Sequence, residues 1–216
     1  MKLLSVEQLA IPEIRVIRYG RFGDNRGYFT EHFRHSDFHT NPDLPFMRDV
    51  EFLQTNESYS RTGTIRGMHF QWNPFQGKLV RTLSGHMFDL ALDIRPGSPT
   101  FGMIIAHDMP ADPEAAAAEW IWLPPGFGHG IIALEPTTIE YFCSSEWSPG
   151  CEGAISPLAS DLDWSRCDPE LKATFDRIAA TTTLITAKDR DGLSMAAWRA
   201  DERSAMFAYD RLREVE

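Results

Sequence analysis

The chain is short of the features that mark several protein classes. It has three cysteines, Cys143, Cys151 and Cys167. Their odd number and the absence of a CxxC pair argue against a disulfide framework and suit a reducing compartment, so the expected location is the cytoplasm. Long apolar runs are missing too. A stretch such as GIIAL after His129 is far too short to cross a bilayer. The N-terminal MKLLSVEQLAIPEI turns polar after Leu4 and lacks the apolar centre of a signal peptide. Cations are scarce: 21 Lys and Arg face 31 Asp and Glu, a net charge of −10. That argues against a nucleic-acid binder, whose phosphate affinity comes from clustered Lys and Arg. It does not exclude one small anionic ligand, because a few inward-pointing cations can hold a pyrophosphate whatever the outer surface carries. There is no internal repeat, and the one low-complexity tract is AAAA within Pro110–Glu119.

Hydrophobic residues make up 43% of the chain, enough to fill a core. From Glu51 to about Tyr141 they fall in short apolar or alternating runs broken by Gly and Pro, the pattern of many short strands in a sandwich or barrel. MFDLALDIR has a period of two, with Phe88, Leu90, Leu92 and Ile94 on one face and Asp89, Ala91, Asp93 and Arg95 on the other. RPGSPTFG then reads as a turn into the strand MIIAH. Helix is expected late. Asp168-Pro169-Glu170 supplies an N-cap and a proline at the first helical position, and Leu171, Phe175, Ile178 and Ala179 follow at helical spacing. A second helical stretch is expected over roughly Leu193 to Leu212. No linker divides the chain, which predicts one domain over residues 1–216, with a β core at about 23–165 and a helical extension at about 168–216.

WLPPGFGHG carries Pro124, Gly126 and His129 in a PxGxxH spacing that resembles the second motif of cupins, where a Pro-Gly turn delivers a histidine into a jelly-roll barrel. Metal-binding cupins pair it with an HxH motif. Here that stretch reads His69-Phe70-Gln71, so the second imidazole is absent and no functional metal is expected. His32, His35 and His39 in EHFRHSDFH read as a charged loop or a solvated helix face.

With GDNRGYFTEHF, LQTNESYSRTGTIRGMHFQ, GKLVRTLSGHMFDLALDIRPGSPTFG and PPGFGHG in one order, the chain resembles the dTDP-4-dehydrorhamnose 3,5-epimerase family from about Gly23 to Trp164. The resemblance implies an all-β cupin jelly-roll barrel with the helical segment appended, a homodimer, and no metal or organic cofactor. It also implies epimerisation at C3 and C5 of a nucleotide-linked 4-keto-6-deoxy sugar, dTDP-4-dehydro-6-deoxyglucose becoming dTDP-4-dehydrorhamnose. Such chemistry needs a base for the proton α to the ketone, a cation or donor for the enolate oxygen, and an acid opposite the base. By resemblance these are His69, Lys78 and Tyr141. The nucleotide would be held by Arg26, Glu31, Gln54, Thr55, Asn56, Arg66, His129 and Glu152, with Phe29 and Trp147 stacking on its base. Trp147 stands where the family commonly has Tyr, which leaves the identity of that base open. ITAKDRDG is the best match to a later family segment, making Lys188 a ligand contact and Asp189 the carboxylate that orients the base; Asp89 competes for that role.

Arg66 and His69 are three residues apart, so a regular strand would point them to opposite faces. Sharing one pocket requires a kink or bulge, for which Gly67 is the obvious place. Three alternatives remain open: an epimerase acting at one carbon or on another deoxysugar or heptose, a metal-dependent cupin oxygenase or isomerase, and a sugar-binding jelly roll without catalysis.

Overall fold

The computed structural model describes residues 1–212, so the last four residues of the expected helical extension lie outside it. The strands are β1 (Leu3–Gln8), β2 (Arg15–Gly20), β3 (Phe22–Asp24), β4 (Gly27–Phe29), β5 (Gln54–Ser60), β6 (Ile65–Gln71) and β7 (Lys78–Ser84). They continue as β8 (His86–Asp93), β9 (Ile104–Pro110), β10 (Ala117–Leu123), β11 (Phe127–Ala133), β12 (Thr137–Cys143) and β13 (Glu152–Ala154). Two sheets face each other, one in the order β1-β2-β10-β7-β12-β5 and the other β13-β6-β11-β8-β9, and β3 and β4 form a separate hairpin. All pairings between these strands are antiparallel. Within them β5-β12-β7-β10 faces β6-β11-β8-β9, the strand order of a jelly roll. The jelly roll takes the form of two facing sheets, and among the described residues no ladder joins them. The β structure also starts earlier than residue 23, because β1 and β2 extend the larger sheet.

Strand parity explains how these sheets are covered. In β10, Ile121 and Leu123 point between the sheets, where they meet Val80, Met87, Ala91, Phe127 and Ile131. The alternate residues Trp120 and Trp122 point outward and pack with Leu79, Phe38, Leu44 and Met47. Those last three belong to an excursion between β4 and β5 that carries helix α1 (His35–Thr40). The second sheet behaves the same way. The apolar row Phe88, Leu90, Leu92 and Ile94 of β8 packs outward against Phe175, Met195, Trp198 and Phe207 of the C-terminal segment. Asp89 and Asp93, which read as a polar face, therefore point inward and are fully buried.

Helix α2 (Pro169–Ala179) starts where expected, the Asp168 carboxylate accepting from the Glu170 and Leu171 amides. The single helix expected over Leu193–Leu212 is three short pieces instead: α4 (Met195–Ala200), a 3-10 turn Glu202–Phe207 and α5 (Tyr209–Leu212). Asp201 breaks it, since its extended backbone and its side chain cap a new turn by accepting from the Arg203 amide. No helix among the described residues is long and apolar enough to cross a membrane.

Trp198 is fully buried and its indole donates to the Ile94 carbonyl at 2.8 Å. Trp198→Ala is expected to cost about 3–5 kcal/mol, read as a lower urea midpoint with a single transition if sheet and helices unfold together.

Candidate active site

The site depends on one irregularity in β6. Across the β11 ladder His69 opposes His129 and Ile65 opposes Ile132, while Arg66 opposes Ile131, so β6 holds one residue more than its partner between these pairs. That extra residue is a bulge at Gly67, whose φ is +118°. A Cβ there would stand 2.5 Å from the Gly130 Cα and 2.8 Å from the His129 carbonyl oxygen. The two backbones approach this closely only because both positions are glycine. The bulge resets the alternation, and Arg66 and His69 face the same interior.

His69 Nε2 lies 2.6 Å from Asp189 Oδ1. A carboxylate only accepts, so Nε2 carries a proton and the other nitrogen of a neutral ring is unprotonated. Asp189 is 3% exposed and sits on a short helix, α3 (Ala187–Arg190), capped by Thr186. Burial pushes the Asp189 pKa up, but the hydrogen bond and charge of His69, with donors from Thr186 and the Gly67 amide, outweigh it and leave the pKa lowered. Asp89, the competing carboxylate, serves a different imidazole: His129 Nε2 is 2.7 Å from its Oδ2. Its Oδ1 is buried without a partner among the described residues.

Lys78, Tyr141, Asn56 and Gln54 face His69 from the other sheet. Register fixes this, since Lys78 opposes Cys143, Tyr141 opposes both Val80 and Asn56, and Cys143 opposes Gln54. Among the described residues the Lys78 ammonium meets no carboxylate at ion-pair distance, and its one hydrogen bond is a long 3.5 Å contact to the His69 carbonyl. Burial lowers its pKa, partly offset by the charges of Cys143, Asp89 and Glu152. Burial raises the pKa of Tyr141, whose phenol therefore stays protonated at neutral pH, although Arg66 and a hydrogen bond with Asn56 oppose the shift.

A polar seam crosses between the edge strands β13 and β5. Lys188 Nζ donates to Glu152 Oε1 at 2.7 Å, and the Trp147 indole donates to Glu152 Oε2 at 3.4 Å. The Trp147 amide donates to Gln54 Oε1 at 2.7 Å, and Gln54 donates to Asn56 Oδ1 at 2.9 Å. The salt bridge with Lys188 is the leading cause of a lowered Glu152 pKa. Sequence reasoning missed the role of Gln71. Its amide donates to the carbonyls of Pro74 and Glu146, each at 3.0 Å, and accepts from the Ser148 amide at 2.9 Å, which fixes the loop bearing Trp147. It is the residue that replaces the second histidine of an HxH pair, and that departure was its one signal in the sequence.

Four expected site residues fall elsewhere. Thr55 has the opposite parity to Gln54 and Asn56, and it faces outward into a groove with Phe33 and Phe142. Arg26, Phe29 and Glu31 lie on or just after the β3–β4 hairpin. That hairpin leaves β2 beyond Gly20, which opposes Ala117, whereas Lys78 opposes Leu123 at the far end of β10. Arg26 pairs with Asp24, Glu31 with Arg34 and the N-terminal ammonium, and the Phe29 ring is 68% exposed. Within one chain they are not part of the His69 cluster.

A jelly-roll sandwich whose interior holds two carboxylate-bound imidazoles, a buried lysine and a protonated phenol has the components of an acid–base isomerase. The sequence profile of dTDP-4-dehydrorhamnose 3,5-epimerase matches residues 8–197. The protein of that name from Sinorhizobium fredii is 44% identical over 186 residues, covering 85% of each chain. The crystal structure of the Legionella pneumophila epimerase in complex with dTDP-4-keto-L-rhamnose has a TM-score of 0.75 and 30% identity, covering 93% of this chain and 96% of that one. A 3'-monoepimerase from Streptomyces bikiniensis bound to dTDP-quinovose has a TM-score of 0.69 and 25% identity over 99% of both chains. The chain belongs to the dTDP-4-dehydrorhamnose 3,5-epimerase family, a family of isomerases.

The Asp189 pKa is lowered by folding, so its contribution to stability is complete above the unfolded value of about 3.9 and is lost as pH falls through the lower folded value. Asp189→Asn should therefore unfold at lower urea than the parent at neutral pH, and the gap should narrow as the pH falls below about 3.9. Urea midpoints across that range check it.

Proposed function

We propose that the protein epimerises dTDP-4-dehydro-6-deoxyglucose at C3 and C5 to dTDP-4-dehydrorhamnose. The observation that carries this reading is a carboxylate-bound imidazole on one sheet facing a protonated phenol on the other, with the Lys78 ammonium on the phenol's sheet 3.5 Å from the His69 carbonyl. His69 removes the proton α to the C4 ketone, breaking the C–H bond. Its electron pair moves into the ring and charge develops on the C4 oxygen, where the Lys78 ammonium stabilises it. Tyr141 then donates its phenolic proton to the opposite face of the carbon. His69 returns its proton to water and Tyr141 regains one, so the proton inventory closes over the cycle. Asp189 holds the ring orientation and stabilises the imidazolium.

Arg66, His129 with Asp89, and the seam of Gln54, Asn56, Trp147, Glu152 and Lys188 bind the nucleotide diphosphate, Arg66 suiting a bidentate phosphate contact. We also read the chain as a cytoplasmic homodimer. Three free cysteines support the compartment. The dimer is supported by the exposed aromatic hairpin with Phe22, Tyr28 and Phe29, and by Arg26 and Phe29 lying away from their own chain's His69. A second copy supplies a site for that hairpin to enter. Sedimentation should give the mass of two 24.5 kDa chains, and a monomer with full activity would remove this part of the reading.

In heavy water with the 4-keto substrate, proton NMR should show deuterium entering at C3 and C5. His69→Ala should abolish exchange while leaving nucleotide affinity nearly intact. Tyr141→Phe should keep exchange but lose inversion, because His69 still removes and returns the proton on its own face. Exchange at one carbon alone points to a monoepimerase. No exchange with any 4-keto nucleotide sugar sinks the proposal.

A further inference from the structure

The sequence places His35 and His39 one helical turn apart, and folding adds a third ligand twelve residues beyond His39. Glu51 lies just before β5, and the chain between, through the 3-10 turn Pro45–Met47, folds back so that its carboxylate meets both rings. The two imidazoles stack with centroids 4.0 Å apart and an interplanar angle of 27°. His35 Nε2 is 3.4 Å from Glu51 Oε2, and His39 Nε2 is 3.8 Å from Glu51 Oε1. One donor atom from each of the three residues lies within 4.8 Å of the others. A tetrahedral ion bonded at about 2.0–2.1 Å sets its ligand atoms about 3.3 Å apart, against 3.4 and 3.8 Å for the two imidazole–carboxylate pairs.

We propose that His35, His39 and Glu51 form a site for a divalent transition ion, Zn²⁺ or one of like coordination, on the outer face of the six-stranded sheet. The second coordination layer supports this. His39 Nδ1 lies 2.6 Å from the Arg48 carbonyl oxygen, which must accept, so Nδ1 is protonated and the Nε2 lone pair points to the ion. Two neutral imidazoles and one carboxylate suit a borderline ion better than Ca²⁺ or Mg²⁺, which favour all-oxygen shells. Glu51 and His35 are 61% and 65% exposed on their side chains, so the ion reaches the site from solvent and keeps water as its remaining ligand. The groove beside it, about 300 Å³, is lined by Phe33, Phe52, Leu53, Thr55 and Phe142. Phe142 and Thr55 point away from Tyr141 and Asn56, so the ion sits on the far side of the sheet from the epimerase chemistry. Its role is a staple. It fixes α1 to the start of β5 and closes the excursion that covers Trp120 and Trp122.

The test is titration of the chelator-stripped full-length protein with Co²⁺ and, separately, Zn²⁺, followed by calorimetry and, for Co²⁺, visible absorption. The wild type is expected to take up an ion that His39→Ala, His35→Ala and Glu51→Gln each bind at least about 10–100-fold more weakly, a loss no smaller than that of an outer-layer partner. Zn²⁺ should raise the melting temperature of the wild type and not that of Glu51→Gln. The substitutions should leave solvent exchange in the sugar unchanged. His35→Ala and Glu51→Gln alter exposed side chains, which keeps the test decisive if His39→Ala fails to fold. The proposal is overturned if the wild type takes up neither ion, or if the foldable variants bind as the wild type does.

Discussion

Two backbones meet at Gly67 and Gly130 with no room for a side chain on either, and the rest of the site follows from that contact. The extra residue in β6 turns Arg66 to the face already occupied by His69 and His129, so one strand presents an imidazole and a guanidinium to the same interior. Met68, next to the bulge, exchanges backbone hydrogen bonds with Ile155 at 2.8 and 3.1 Å, which anchors the segment leading to β13. The Gly67 amide donates to Asp189. The irregular turn thus helps hold the carboxylate that pairs with His69.

An interior that carries Lys78, two His–Asp pairs and a phenol is costly to desolvate, and each group needs a partner or a ligand. The fold meets this by placing much of its apolar burial on the outer faces of its sheets. The row from Phe88 to Ile94 packs against the C-terminal helices, and Trp120 and Trp122 pack under the α1 excursion. Segments that look like additions to a jelly roll are therefore structural. They supply the hydrophobic contact that a wholly apolar sandwich would find between its sheets. The C-terminal segment has a second function, because α3 delivers Asp189 and Lys188. The Asp89 Oδ1, buried without a partner among the described residues, lies in this same polar interior.

Periodicity made the strands and helix α2 legible, because alternation and an Asp-Pro-Glu start are local signals with local causes. That His69, Lys78 and Tyr141 would fall near one another was legible through ordered motifs. The direction of the polar face of β8 was not, since a strand buried on both sides gives no sign of which row faces the cavity. The broken C-terminal helix was missed because Asp201 acts as a cap only once the chain has turned. Thr55 faces outward because strand parity puts only Gln54 and Asn56 inside. The choice between Asp189 and Asp89 needed coordinates, because each carboxylate has its own histidine.

His69, with Gln71 in place of a second ligating imidazole, was set by the amino-acid sequence alone: a free histidine in a run of Gly, Met and aromatic residues, followed by a lysine. The run of strands and the acidic balance belong to the same level, since they depend on residue type and spacing. Tertiary structure decided which groups meet. It brought Asp189 across 120 residues to His69, turned Arg66 inward at a glycine, left Arg26 and Phe29 on a distant hairpin, and closed Glu51 onto His35 and His39. The physical reason is common to all four. A side chain's partner is fixed by sheet register and by close backbone approach, and neither is written in the local pattern of the chain.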